Sequence, residues 1–378
     1  MAKNILIFSD GSGQGASMPS RRTNVLKLYL ATKDAAPQSQ VAFYDPGLGA
    51  ADDKDHGWWR WGHDLLSQAT GLGISQNVKD CYAAAIRHYE PGDRMYLFGF
   101  SRGAYTIRSL GGVLSLCGIP MRDSKGRSPR ADQKVRDALV GEAVETVYKH
   151  YGNDDKTKAE RRKLGEQYRL RYGGNLANSN DPPVPHFIGV FDTVRALGLP
   201  GSSGLVGWRH AFHDATLNAR VPFARQAISI DENREVFEPV LWEETEADRA
   251  SGRIKQVWFP GVHSDIGGGY EECELADLAL AWMIDEATAI PDPIVVDRAK
   301  LTLAPSFKGK QHDERTGWGK AWTEGTRERF NATNLWERHV GDRFNEASVP
   351  MMDRSAPYRP RALGKNPVYR TRYPEGDS

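Results

Sequence analysis

The chain has 378 residues, 39% hydrophobic and 26% charged, enough to bury a sizeable core in one large domain or two smaller ones. Fifty lysines and arginines against 49 acids leave a net charge of +1, which excludes global attraction to nucleic acid or to an anionic membrane as the basis of function. Three widely spaced cysteines, Cys81, Cys117 and Cys273, are odd in number and read as reduced, buried thiols, not as a disulfide framework.

At the amino terminus the run Ile5-Leu6-Ile7-Phe8 is too short for a signal sequence and leads into Asp10 without a cleavage site, so Ile5 to Ser9 is predicted as a first strand. Val41 to Tyr44 is the next. Ile74, Val78, Tyr82, Ala85 and Tyr89 repeat at helical period, and Pro91-Gly92 ends that helix before a short buried strand, Arg94 to Phe98. Another helix follows at Ala104 to Leu116, with Ile107, Leu110, Val113 and Leu114 on one face. Further strands are expected at Phe187 to Phe191, Ala227 to Ile230 and Ile254 to Phe259. Leu275, Leu278, Ala279, Trp282 and Met283 mark a later helix.

This alternation implies an α/β fold: a mostly parallel central sheet with helices on both faces, in one domain over residues 1–378. Residues 119–183 interrupt it. They are helix-prone at Val135 to His150 and Lys158 to Tyr172 and carry 14 basic against ten acidic residues, so they read as a helical cap insertion over the site. Residues 290–378 lack periodicity and read as a C-terminal extension packed on the domain, anchored by Trp318, Trp322, Trp336 and Tyr358. Trp58, Trp59 and Trp61 are candidates for a lipid-facing rim, with burial against the cap as the competing reading. No uninterrupted apolar run approaches the roughly 20 residues of a membrane-spanning helix, so a cytoplasmic protein, or one exported by a leaderless route, is expected.

The chemistry gathers at strand ends. Gly99-Phe100-Ser101-Arg102-Gly103 is a G-x-S-x-G between a predicted strand and a predicted helix, the context a nucleophile elbow requires. A serine nucleophile needs a base, and the base needs an acid to hold its tautomer. His263 follows the strand Ile254 to Phe259 on a glycine-flanked loop and is the candidate base, with His210 and His213 as second choices. His56, His63, His88, His150, His186, His312 and His339 are read as structural or surface groups. Asp192 directly follows Phe187 to Phe191 and is the candidate acid, ahead of Asp231 and Asp265. The backbone N–H of Arg102, with that of Gly11 or Ser12 in the loop Asp10-Gly11-Ser12-Gly13, would form the oxyanion hole, and Asp10 would shape that loop.

Competing chemistries are weaker. The Asp10 loop has no second carboxylate two residues away for phosphatase chemistry and no G-K-[ST] ending for a P-loop. A metal-dependent hydrolase would draw on Asp10, His263 and Asp265, but the metalloprotease spacing is absent, and Asp265 is expected to support the His263 loop instead. A non-enzymatic alternative is an interaction protein that keeps the fold without turnover.

Four blocks together resemble one α/β-hydrolase family: Asp10-Gly11-Ser12-Gly13, Gly99 to Tyr105, Gly189-Val190-Phe191-Asp192-Thr193-Val194, and Gly261 to Tyr270. It is the family, formerly a domain of unknown function, that includes the phospholipase effectors of bacterial type VI secretion. Ile230 to Arg234, Phe237-Glu238-Pro239, Trp242 and Tyr358-Arg359-Pro360 fit further blocks of it, so the resemblance spans nearly the whole chain. Ser12 and Gln14 depart from the threonine and asparagine usual there. The resemblance implies a Ser101, Asp192, His263 triad and ester hydrolysis. Acyl transfer to water needs no cofactor, the balanced charge speaks against nucleic acid, and the expected partner is an ester or lipid substrate met by peripheral membrane contact.

Overall fold

A computed structural model describes residues 2–11, 19–47, 71–150, 154–177, 179–194, 216–232, 234, 237, 239–306, 309–313 and 343–344. Its strands are β1 (Asn4–Ser9), β2 (Gln40–Asp45), β3 (Arg94–Phe100), β4 (Phe187–Phe191), β5 (Phe223–Ser229), β6 (Ile254–Phe259) and β7 (Arg343–Phe344). They form one sheet in the order β2-β1-β3-β4-β5-β6-β7, and every described pairing is parallel. The order reverses between β1 and β3. Parallel sheets of this kind bind their ligands outside the carboxyl ends of the strands at such a reversal, so the ends of β1 and β3 are where a site belongs.

Buried strands alternate their side chains between two apolar layers. Ile5, Ile7, Met95 and Leu97 face helices α2 (Gly71–His88) and α3 (Arg102–Cys117). Leu6, Phe8, Tyr96, Phe98 and Phe100 face α1 (Asn24–Thr32) and the helix Glu274–Thr288. Because both faces are covered, the strands read in sequence as continuous apolar runs, which is why most were legible. Truncating a fully buried ring such as Phe98 to alanine costs on the order of 3–5 kcal/mol.

Two differences from expectation have physical causes. β5 begins at Phe223, four residues before its predicted start, because Arg225 and Gln226 disguise its buried core. Arg225 is tolerated there through Glu286, 2.5 Å away, and the carbonyls of Gly252 and Arg253. β7, a two-residue strand in the carboxyl-terminal stretch, had no periodic signal. The helices of residues 119–183 pack on the α2–α3 face. Within residues 119–183, α4 (Gln133–Gly141) runs into a π-helical segment, Glu142–Tyr148, and α5 (Asp155–Tyr172) follows. Their Val135, Leu139, Val144, Val147 and Tyr168 join the core of Tyr82, Leu114 and Cys117. The short α6 (Glu246–Ser251) precedes β6.

The described part of the extension also packs on the domain. Ile290 and Ile294 enter the second core, the Val295 backbone N–H donates to and its carbonyl accepts from the Gln40 side-chain amide, and Asp297 N donates to Ala31 O. Trp318, Trp322, Trp336 and Tyr358 lie outside the described residues, as do Trp58, Trp59 and Trp61.

Gly141, where α4 passes into the π-helical segment, has helical backbone angles, and a methyl group added there meets nothing within 4 Å. Gly141→Ala is expected to stabilise the protein by roughly 0.5–1 kcal/mol in chemical denaturation. A loss of stability would show that the π-helical turn needs glycine's freedom.

Candidate active site

At the end of β3 the chain turns sharply into α3, and Ser101 takes the turn at φ 55°, ψ −120°, a strained conformation for a residue with a side chain. The turn closes only because its flanking residues are glycines. A Cβ on Gly99 would lie 2.6 Å from Gly103 O, and one on Gly103 would lie 2.0 Å from Ser9 O. Ser101 N donates to Phe191 O at 3.1 Å, pinning the elbow to the end of β4. The side chain is buried, and its Oγ makes no hydrogen bond among the described residues. Contacts of this kind often close only around a substrate.

Asp192 follows β4 at φ 37°, a second strained residue. Its Oδ1 accepts from Ser229 N at 3.0 Å, and Oδ2 accepts from Ser229 Oγ at 3.1 Å and faces His263 Nδ1 at 2.7 Å. His263 opens α7 (His263–Gly267), a short helix where sequence suggested a loop. Both side chains are fully buried. Burial pushes the His263 pKa below its ordinary value, against the opposing hydrogen bond and charge of Asp192. The imidazole is therefore neutral near pH 7, with Nδ1 as the proton-bearing nitrogen facing the carboxylate, the tautomer that leaves Nε2 basic.

The competing carboxylates are engaged elsewhere. Asp231 accepts from Gly261 N at 2.7 Å. Asp265 accepts from Val262 N at 3.0 Å, which caps α7, and faces His312 Nδ1 at 2.7 Å. Asp265 thus braces the His263 loop, and His312 is its partner. Asp10, His263 and Asp265 do not converge, and among the described residues no three metal-binding side chains gather. His210, His213 and Ser12 lie outside the described residues.

Arg102, the first residue of α3, has its backbone at a helix N-terminus, where the first N–H groups have no intrahelical acceptor. Gly11 lies against Ser101: a Cβ there would sit 3.5 Å from Ser101 Cβ. Its N–H, one of the two loop donors that the sequence offered, donates to Asp10 Oδ1 at 2.7 Å. The Asp10 carboxylate also accepts from Tyr44 Oη at 2.7 Å and from the Thr23 hydroxyl. It lacks a basic partner among those contacts, and burial raises its pKa to about 6.

Sequence reasoning missed Ser229, Thr23, Tyr44, Glu232, Arg234 and Phe237 as site residues. Glu232 Oε2 accepts from His263 N at 3.1 Å, and the Phe237 ring meets the imidazole at 4.8 Å between centroids. The available signal was the cluster of charged residues directly after the apolar end of β5.

A parallel sheet in this order, with a serine elbow after β3 and an aspartate–histidine pair after the later strands, defines a protein of the α/β-hydrolase class. Residues 3–286 match the family model described as T6SS, phospholipase effector Tle1-like, catalytic domain, and the chain belongs to that family. An uncharacterized protein of Saccharomyces cerevisiae is 27% identical over 254 residues, 64% of this chain and 33% of its own length. Among solved structures, an uncharacterized protein from Pseudomonas aeruginosa shares 18% identity at a TM-score of 0.40, covering 75% of this chain and 45% of the other. A Tle1 effector bound to the VgrG spike of the type 6 secretion system shares 17% at a TM-score of 0.34, covering 71% and 52%. The chain spans about a third of the curated relative and about half of these two solved chains.

Asp10 links the site to pH. With a folded pKa of about 6 against 3.8 for the free side chain, its contribution to stability is fully present below 3.8 and is lost as pH rises through 6. Relative to Asp10→Asn, the wild type is expected to lose up to roughly 3 kcal/mol between about pH 4 and pH 7. Urea unfolding of both proteins at the two pH values checks this, and parallel pH profiles would contradict it.

Proposed function

We propose that the chain is a serine hydrolase of carboxylic esters, acting on lipid or phospholipid esters through an acyl-enzyme. The observation that carries the reading is the buried Asp192–His263 pair at 2.7 Å, at the same sheet edge as the strained Ser101. Membership of a family described by phospholipase effectors supports the substrate class.

In this reading Ser101 Oγ attacks the ester carbonyl while His263 Nε2 takes its proton, and Asp192 holds Nδ1–H and stabilises the imidazolium that forms. His263 then protonates the leaving alkoxide, and water, activated by the same nitrogen, releases the acid. The oxyanion of each tetrahedral intermediate is held by Arg102 N–H at the α3 terminus and by the loop after Asp10. With Gly11 N–H bonded to Asp10, the loop's contribution falls to Ser12 N–H or requires Asp10 to let go. The reaction consumes water and needs no cofactor.

No helix among the described residues is long and apolar enough to cross a membrane, so lipid would be met peripherally. A place among secreted effectors follows from the family and belongs to the same proposal.

The test is hydrolysis of p-nitrophenyl esters from acetate to palmitate by wild type and Ser101→Ala, with chelator present. Chelator-resistant release that falls by at least about 10³-fold in Ser101→Ala is expected, and the preferred chain length separates esterase from lipase. Release that survives Ser101→Ala and stops with chelator would replace the serine mechanism by a metal-dependent one. No release from any ester would favour the interaction protein.

A further inference from the structure

We propose that Glu232, Arg234 and Phe237 form a positioning clamp on His263, fixing the plane of the imidazole and balancing the charge it experiences. The proposal rests on the reading of His263 as the general base.

The clamp starts from a buried ion pair. Glu232 Oε1 accepts from Arg234 Nε at 2.8 Å and from Arg234 N at 2.9 Å. Oε2 accepts from Arg234 Nη2 at 2.8 Å and from His263 N at 3.1 Å. Glu232 is 1% exposed and Arg234 3%. An ion pair so completely withdrawn from water adds little to stability over an apolar pair of the same shape, so its presence asks for another explanation. The bond to His263 N supplies one: it ties the first residue of α7 to the segment after β5.

The ring is held as well as the backbone. The Arg234 guanidinium lies 3.7 Å from the centroid of Phe237, which turns its ring across the imidazole at 62° and 4.8 Å. On β3, Phe100 packs against the same imidazole at 33° and 4.7 Å. The substitution space around Phe100 is closed too, since a Cβ on Gly267 would lie 2.0 Å from its ring. With two rings against it and Nδ1 bonded to Asp192, the imidazole has one orientation, and preorganisation of this kind lowers the cost of reaching the transition state.

The charges oppose each other. Asp192 and Glu232 favour the imidazolium and Arg234 disfavours it. The other ionisable groups around α7 are engaged: Asp231 with Gly261, Asp265 with Val262 and His312, and Asp277 on the packed helix Glu274–Thr288 with Lys27 at 2.8 Å. Arg102 stands at the start of α3, after the nucleophile. Removing Glu232 alone therefore leaves a cation acting on His263, and removing Arg234 alone leaves an anion. A scaffold role without electrostatic effect predicts no such opposition.

The experiment follows the His263 ring by NMR titration in a Ser101→Ala background, comparing Glu232→Gln, Arg234→Gln and the double variant, whose two amides can still hydrogen-bond each other. The midpoint is expected to fall in Glu232→Gln, to rise in Arg234→Gln and to return towards the starting value in the double variant. With Ser101 restored, each single variant and Phe237→Leu are expected to lower kcat by roughly tenfold or more with KM changed less than about twofold. Midpoints that do not move in the single variants, or that move in the same direction in both, would overturn the clamp. Should a single variant not fold, the double variant decides: an unmoved midpoint with reduced kcat supports the clamp, and wild-type kcat overturns it. Absence of ester hydrolysis by the wild type would sink the enzymatic reading separately, because the titration does not depend on turnover.

Discussion

A carboxylate and an imidazole withdrawn from water at 2.7 Å make sense only if the surrounding fold supplies what water would have supplied. Here it does so with local bonds: Ser229 gives Asp192 two donors, and Phe100 and Phe237 pack the imidazole. The same burial that makes the pair costly keeps His263 neutral and so able to accept a proton. Desolvation is thus the constraint from which both the stability problem and the chemistry of the site arise.

The parallel sheet is what gathers the site from distant parts of the chain. Phe100 pairs with Phe191 and Phe191 with Ala227, so the residues that follow these strands emerge side by side along one edge. Backbone strain is concentrated at that edge: Ser101 and Asp192 are two of the three non-glycine residues with positive φ among the described ones. Strain of this kind persists where the surrounding structure overdetermines it, and both residues are pinned by backbone bonds to a neighbouring strand, Ser101 N to Phe191 O and Asp192 N to Ala227 O. At the other side of the elbow, α3 approaches β1 so closely that only glycine fits at position 103.

What sequence revealed and what it hid divide along the range of the interaction. Strands buried on both faces announce themselves as apolar runs, and a polar residue that ends such a run, like Asp192 after Phe191, stands out. Local glycine spacing around Ser101 carried the elbow. Arg225 hid the first half of β5, because its tolerance there depends on Glu286, 61 positions away. Glu232 and Arg234 entered the sequence reading only as part of a family block, because the bond that gives Glu232 its role reaches His263, 31 residues further on. The Asp10–Gly11 bond shows a different limit. Sequence placed the loop near the nucleophile, but which acceptor takes the Gly11 N–H depends on how Thr23 and Tyr44 orient the Asp10 carboxylate.

The central claim is that Ser101 is made nucleophilic by His263 and Asp192. The most direct measurement is covalent labelling by a fluorophosphonate, with the adduct located by peptide mass spectrometry in wild type, His263→Ala and Asp192→Ala. The account predicts one adduct, on Ser101, forming at least about a hundredfold more slowly in both variants, since each removes part of the group that activates the nucleophile. An adduct on another residue, or labelling of Ser101 at an undiminished rate without His263, would contradict it.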